Sequence, residues 1–296
     1  MHLPPDNDII SYYENSFFES WPWDITRLST DVDTRQFAIL PMGFDESFSK
    51  QDYFEWTLYL RKTWWVPVVT ALFYLVLVTF GQSLMKHRKP FDLRGPLAVW
   101  NFLLACFSII STLKVVPYVL YTFLVNGPMY FLVRNPAMSF GQGGEMSYWA
   151  VLFMLSKYAE LLDTAFLILR KKHVSTLHWY HHASVLLLSV QTVALHGPTG
   201  IIMVAMNIIV HSFMYSYYFL AAVMQQPPTW GRMITKLQIL QMLLGTIMAI
   251  SLFIVPRFVQ NSCGVPLNNI SILVVYMSYL VLFMQFYAKR YKQKAL

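Results

Sequence analysis

Apolar residues run along this chain in seven long blocks separated by short polar connections. About 20 consecutive apolar residues cross the hydrocarbon core of a bilayer. Blocks near 64–85, 97–120, 147–169, 174–195, 199–223, 235–256 and 269–288 have that length. The pattern predicts an all-α polytopic membrane protein with seven transmembrane helices. Residues 1–62 read differently: they are aromatic and acidic, are broken by Pro and Gly, and carry Phe17-Phe18 and Trp21-Pro22-Trp23. They are expected to form an N-terminal arm lying partly on the membrane interface, with 63–296 as the membrane domain. Only a few residues around Arg170-Lys171-Lys172 join spans three and four, which predicts an antiparallel helical hairpin.

Composition agrees with this reading, since 56% of the 296 residues are hydrophobic and 12% charged, against roughly 25% charged in a soluble domain. Charge then orients the spans. Of 15 acidic residues 11 fall in 1–55, whereas from residue 56 onward there are 19 basic and four acidic ones. These positives sit in short loops between apolar blocks, which points to membrane topology and away from nucleic acid. After spans one, three, five and seven come 13 Lys and Arg residues, among them Lys86, Arg170, Lys172, Arg232, Lys289 and Arg290, against five on the opposite side (Arg61, Lys62, Lys114, Arg134 and Arg257). The positive-inside rule puts the C-terminus in the cytosol and the arm in the lumen. Lys292-Gln293-Lys294-Ala295-Leu296 fits a Lys-x-Lys-x-x retrieval signal, so the endoplasmic reticulum membrane is the expected location. Asn269-Ile270-Ser271 is a formal glycosylation site but abuts span seven. Cys106 and Cys263 are expected to form no bridge.

Polar groups inside a span cost about 2.5–3.5 kcal/mol each when ionisable and mark functional sites. His178-Trp179-Tyr180-His181-His182 places three imidazoles on one helical face at i, i+3 and i+4. Span three adds Lys157, Glu160 and Asp163, each three apart; span five adds Asn207, His211, Tyr215 and Tyr218 on one face. At about 1.5 Å per residue, Asp163 and Glu160 lie roughly 10 and 15 Å from Arg170, and the histidines roughly 6–12 Å in from the same side. Asn101, Gln238 and Gln241 fall at comparable depth. Singly, each has a bland reading as an interface anchor, interhelical hydrogen bond or structural ion pair. Together they form a polar level near the cytosol above apolar stretches such as Val185-Leu186-Leu187-Leu188, which suits a substrate with a polar head and a hydrocarbon tail.

Three chemistries fit such a level. A di-iron desaturase or hydroxylase needs several histidine boxes, and this chain has one box and eight histidines, four of them in loops; a single zinc on the box is the smaller version. A seven-span receptor or transporter would use the belt as a ligand path, without covalent chemistry. In metal-free acyl transfer, a neutral imidazole attacks an acyl thioester, and Asp163 or Glu160 fixes the tautomer of one ring.

Four ordered motifs carry a resemblance. His178-x-x-His181-His182, Lys157-x-x-Glu160-x-x-Asp163-Thr164, Asn207-x-x-x-His211-x-x-Met214-Tyr215-x-Tyr217-Tyr218 and Thr235-x-x-Gln238-x-x-Gln241 are similar in order and spacing to the signatures of the very-long-chain fatty acid elongases. The likeness covers about 64–290 and departs from some members in lacking a cysteine between spans two and three. It implies that spans two to seven ring a narrow tunnel. It also implies that the chain is an acyltransferase, a 3-oxoacyl-CoA synthase condensing a long-chain acyl-CoA with malonyl-CoA. By the same resemblance His181 is the acylated nucleophile, faced by His211, with His178 and His182 positioning groups and moving protons. Lys157, His178, Tyr217, Thr235 and Gln238 are motif positions expected at the thioester or pantetheine, with Asn207, Tyr215, Tyr218 and Gln241 as further substrate contacts. Arg170, Lys172 and Lys289 are placed for the CoA phosphates. The Trp179-Tyr180 pair resembles the branch that extends saturated and monounsaturated chains. No bound cofactor is expected. The expected partners are the bilayer and the two CoA substrates, with the ketoacyl-CoA reductase, dehydratase and enoyl-CoA reductase of the cycle, and a second copy of the chain, as further candidates.

Overall fold

The computed structural model describes residues 47–127, 130–133, 144–195, 199–224, 226–255 and 266–292. Cys263, Arg134, Arg257, Lys294 and all of the arm before residue 47 lie outside them. Every regular element among the described residues is helical. In chain order these are α1 (Lys50–Lys62), α2 (Trp65–Leu84), α3 (Arg94–Asn126), α4 (Tyr130–Val133), α5 (Gly144–Ala159), α6 (Leu162–Leu169), α7 (Thr176–Ala194), α8 (Gly200–Val223), α9 (Gly231–Ile254) and α10 (Pro266–Tyr287), which runs into a π-helical turn, Ala288–Lys292.

The expectation of seven spans is met only in part. Among the described residues five helices are long and apolar enough to cross a membrane: α2, α3, α8, α9, and α10 with its π-turn. The other two expected spans fall short for different reasons. Span three, expected as one helix over 147–169, is divided at Glu160-Leu161. There Leu161, Asp163 and Thr164 donate to carbonyls three residues back instead of four, tightening the helix into a 3₁₀-like step. Span four corresponds to α7, whose 19 residues include the histidine box, Gln191 and two serines, and these lower its hydropathy.

Packing closes a ring in the order α3, α8, α9, α10, α7, α5 and back to α3, while α2 lies outside it against α7 and α6. Apolar side chains explain the arrangement. Leu188, Met203, Met242, Leu252, Ile272, Tyr276, Tyr279 and Phe283 meet between α7, α8, α9 and α10. Trp149, Met154, Leu186 and Ile208 join α5, α7 and α8. Small side chains set the closest approach of α9 and α10: a Cβ on Gly245 would lie 2.1 Å from the Tyr276 ring, so the ring rests directly on the backbone.

Charged side chains secure helix ends. Arg94 donates through Nε to the Ala222 carbonyl (2.6 Å) and through its terminal nitrogen to Met224 (3.0 Å) at the end of α8, where unpaired carbonyls collect. Arg61 does the same for Ala194 at the end of α7 (2.8 Å). Lys171 adopts a left-handed φ of 54° just past α6, and Lys172 N–H reaches back to the Leu167 carbonyl (2.8 Å), a Schellman stop normally made with glycine. The Lys171 ammonium donates to the Lys86 and Arg88 carbonyls (3.1 Å each), pinning the α2–α3 connection. At the other end of the ring, α1 buries Tyr53, Thr57 and Leu60 on one face. It starts with a capping box in which Ser49 and Asp52 bond each other's backbone N–H, and the Ser49 hydroxyl, with its N–H, donates to the Asp52 carboxyl and holds it below its ordinary range.

Candidate active site

The ring encloses a cavity of about 710 Å³, within the range of ligand sites. It begins at the end marked by Arg94, Arg170 and Arg290 and reaches Gln241, Met242 and Phe283. One turn further along α9 comes Gly245, and beyond Phe283 along α10 come Tyr279 and Tyr276, so packed side chains fill the interior past that point.

All four histidines expected at the site line the cavity: His178, His181 and His182 from α7 and His211 from α8. Ser175 begins α7 by accepting a hydrogen bond from the His178 N–H (3.2 Å), and the i, i+3, i+4 spacing turns all three rings inward. The His178 and His182 rings lie 4.4 Å apart and His181 and His182 5.4 Å apart, centre to centre. His181 also packs on Tyr279 at 5.0 Å, and the Tyr279 hydroxyl donates to the His181 carbonyl (3.2 Å) while meeting Ser184 Oγ (2.8 Å). Asn207, Tyr215, Tyr217, Tyr218, Thr235, Gln238 and Gln241 line the cavity too, as do Glu160, Asp163 and Arg170.

Three expected contacts lie elsewhere. Lys157 is absent from the lining: its ammonium donates to Glu160 Oε1 (2.8 Å) and Asn207 Oδ1 (3.0 Å) and lies over the Phe153 ring. It is 1% exposed, so it shapes the wall from behind. Lys172 and Lys289 are exposed and do not line the cavity; Arg94 and Arg290 stand there instead. A signal for both existed in the sequence. Arg94, Leu97 and Asn101 are spaced three and four apart, as are Phe283, Phe286 and Arg290, each set on one inward stripe.

Among the described residues neither carboxylate is within hydrogen-bond reach of a box histidine, and the ring that Glu160 approaches is His211 of α8. Asp163 accepts from Trp100 Nε1 (2.6 Å) and from the Tyr215 hydroxyl (2.9 Å), joining α6 to α3 and α8. Glu160 Oε1 accepts from Ser156 and Lys157 and lies 3.7 Å from His211 Nδ1, while its buried Oε2 has no hydrogen-bond partner among the described residues. The group that does meet the box is the Thr164 hydroxyl, 2.9 Å from His178 Nε2. Among the described residues no three His, Cys, Asp or Glu side chains are grouped to hold a metal ion.

Fold and site together define a class: a polytopic helical membrane protein with an interior, histidine-lined cavity and a basic mouth. The sequence pattern of the GNS1/SUR4 (ELO) family matches residues 59–295. The human very long chain fatty acid elongase 3 is 37% identical over 253 residues, covering 85% of this chain and 90% of its own. The Caenorhabditis elegans long chain fatty acid elongase 2 is 38% identical over 224 residues (75% and 81%). The Drosophila melanogaster very long chain fatty acid elongase 6 is 37% identical over 254 residues (84% and 78%). The chain belongs to the ELO family of fatty acid elongases.

Proposed function

We propose that this chain is the condensing enzyme of a fatty acid elongation cycle, a 3-oxoacyl-CoA synthase. The observation that carries the reading is the convergence of four histidines on a cavity whose mouth holds three arginines and whose inner end reaches the apolar Met242 and Phe283. A CoA thioester has that polarity. Arg170 and Arg290 meet its phosphates, the pantetheine passes Tyr217, Thr235 and Gln238, and the acyl tail points toward Met242.

His181 attacks the thioester carbonyl, the C–S bond breaks, and the ring's other nitrogen gives its proton to the departing CoA thiolate, leaving an acyl-imidazole. Malonyl-CoA then loses CO₂, and the resulting enolate carbon attacks the acyl carbonyl. The C–N bond breaks, 3-oxoacyl-CoA leaves, and the imidazole takes up one proton from the medium. Hydrogen-bond donors in the dry cavity favour the enolate over the poorly solvated carboxylate. His211, facing the box from α8, and His182 are suited to move protons between these steps.

In the membrane, α5–α6 and α7 complete the count of seven spans, the cavity is the open end of a narrow tunnel, and its basic mouth faces the cytosol. The endoplasmic reticulum is the expected home, and the reductases and dehydratase of the cycle the expected partners. Incubating the purified protein with acyl-CoA alone should add one acyl mass and release one CoA, and His181→Ala should do neither. Absence of both in the wild type would sink the covalent mechanism.

A further inference from the structure

Two hydrogen bonds lead from the histidine box out of the ring. His178 Nε2 meets Thr164 Oγ1 at 2.9 Å, and Thr164 Oγ1 meets the Tyr74 hydroxyl at 2.8 Å. Tyr74 belongs to α2, the helix outside the ring, and is 2% exposed; Thr164 is fully buried. We propose that Tyr74 is a positioning residue for the site: through Thr164 it fixes the proton of His178 on Nδ1.

A phenol and a threonine hydroxyl carry one hydrogen each. Thr164 is the one hydrogen-bond partner of the Tyr74 hydroxyl among the described residues, so a buried Tyr74 must donate to Thr164 to satisfy its hydrogen. The Thr164 hydrogen is then free for His178 Nε2, which accepts, so the neutral ring carries its proton on Nδ1. The reverse order, with Nε2–H donating to Thr164 and Thr164 to Tyr74, would leave the phenol hydrogen buried without an acceptor. Tyr74 is placed to enforce this because Val78, Ile168 and Ala183 pack around it between α2, α6 and α7. The consequence for the reaction rests on the condensing function proposed above. His178 enters it as a fixed hydrogen-bond donor at Nδ1, suited to a thioester or enolate oxygen, while attack is left to its neighbour.

The test uses the full-length protein in detergent with ¹⁵N-labelled histidine, the His178 signals being assigned by their loss in His178→Asn. The wild type should show a protonated Nδ1 and an unprotonated Nε2. Tyr74→Phe should raise the Nε2-protonated population and lower kcat on the order of tenfold, the scale of one hydrogen bond at a reacting centre. Thr164→Val should lose the ordering altogether, and Thr164→Ser, which keeps the hydroxyl, should restore both signature and rate. A wild-type ring protonated on Nε2 overturns the proposal. So does a Tyr74→Phe protein that keeps the wild-type signature, whether its rate holds or falls, since a rate loss alone is what packing would produce. The nitrogen signature does not depend on turnover. A wild type with the Nδ1 signature that forms no 3-oxoacyl-CoA from acyl-CoA and malonyl-CoA would therefore overturn the condensing function and leave the relay standing.

Discussion

A lysine and a glutamate shut away from water are tolerated only when each supplies what the other has lost. Lys157 and Glu160 are 1% and 2% exposed and 2.8 Å apart, with Asn207 as the second acceptor for the ammonium. Removing one member of such a pair strands the other and costs about 3–5 kcal/mol. Lys157→Met should therefore lower the thermal midpoint sharply in detergent, and the double variant Lys157→Met, Glu160→Gln should recover part of it; an unchanged midpoint in the single variant would contradict the pairing. The i, i+3 spacing made this pair legible in the sequence, but not which way the ammonium faces, because that depends on where Asn207 of another helix arrives. Thr164 was legible as part of a motif and not as the partner of His178. Tyr74 was invisible, since a hydroxyl reaching across helices leaves no periodic trace.

Among the elements, face arithmetic worked best where a helix is regular. Asn207, His211, Tyr215 and Tyr218 all line the cavity as their spacing predicts. It worked less well across the step at Glu160-Leu161, where Lys157 and Asp163, apparently on one stripe, take different surroundings. Apolar blocks located the other spans to within about six residues, missed α1, which falls inside the expected arm, and were silent on whether the ring is hollow beyond the site. Tyr276 packs on Gly245 beyond the last residues that line the cavity, and this yields a test of depth. Tyr276→Ala should open space beyond Met242 and shift the preferred acyl-CoA toward chains longer on the order of two to four carbons, by removing a large buried side chain, while shorter substrates still turn over. An unchanged preference across a series of acyl-CoAs would place the floor elsewhere.

At the scale of the whole molecule, the distribution of charge and the position of the cavity point the same way. The mouth carries Arg94, Arg170 and Arg290, and the short basic connections that orient the spans cluster at that end. The opposite end carries α1, docked on α5 and α7. In sealed microsomes a tag at the C-terminus should be cut by added protease and one at the N-terminus protected, and the reverse pattern would invert the topology. Ring closure itself was not readable from periodicity. A helical pattern states which face seeks apolar company but not which helix provides it, and here α3 finds α8, far along the chain, as its partner.

Because Gly245 has no side chain to yield, the Tyr276 ring and the glycine act as one heritable unit. A larger residue at 245 is admissible only once 276 has shrunk, so the two substitutions are not additive and their order matters. A lineage that deepened its cavity could begin at the tyrosine and later fill in the glycine, whereas one beginning at the glycine would first have to survive a clash. A larger residue at 245 should thus occur only where 276 is already small, whereas a small residue at 276 can stand alone.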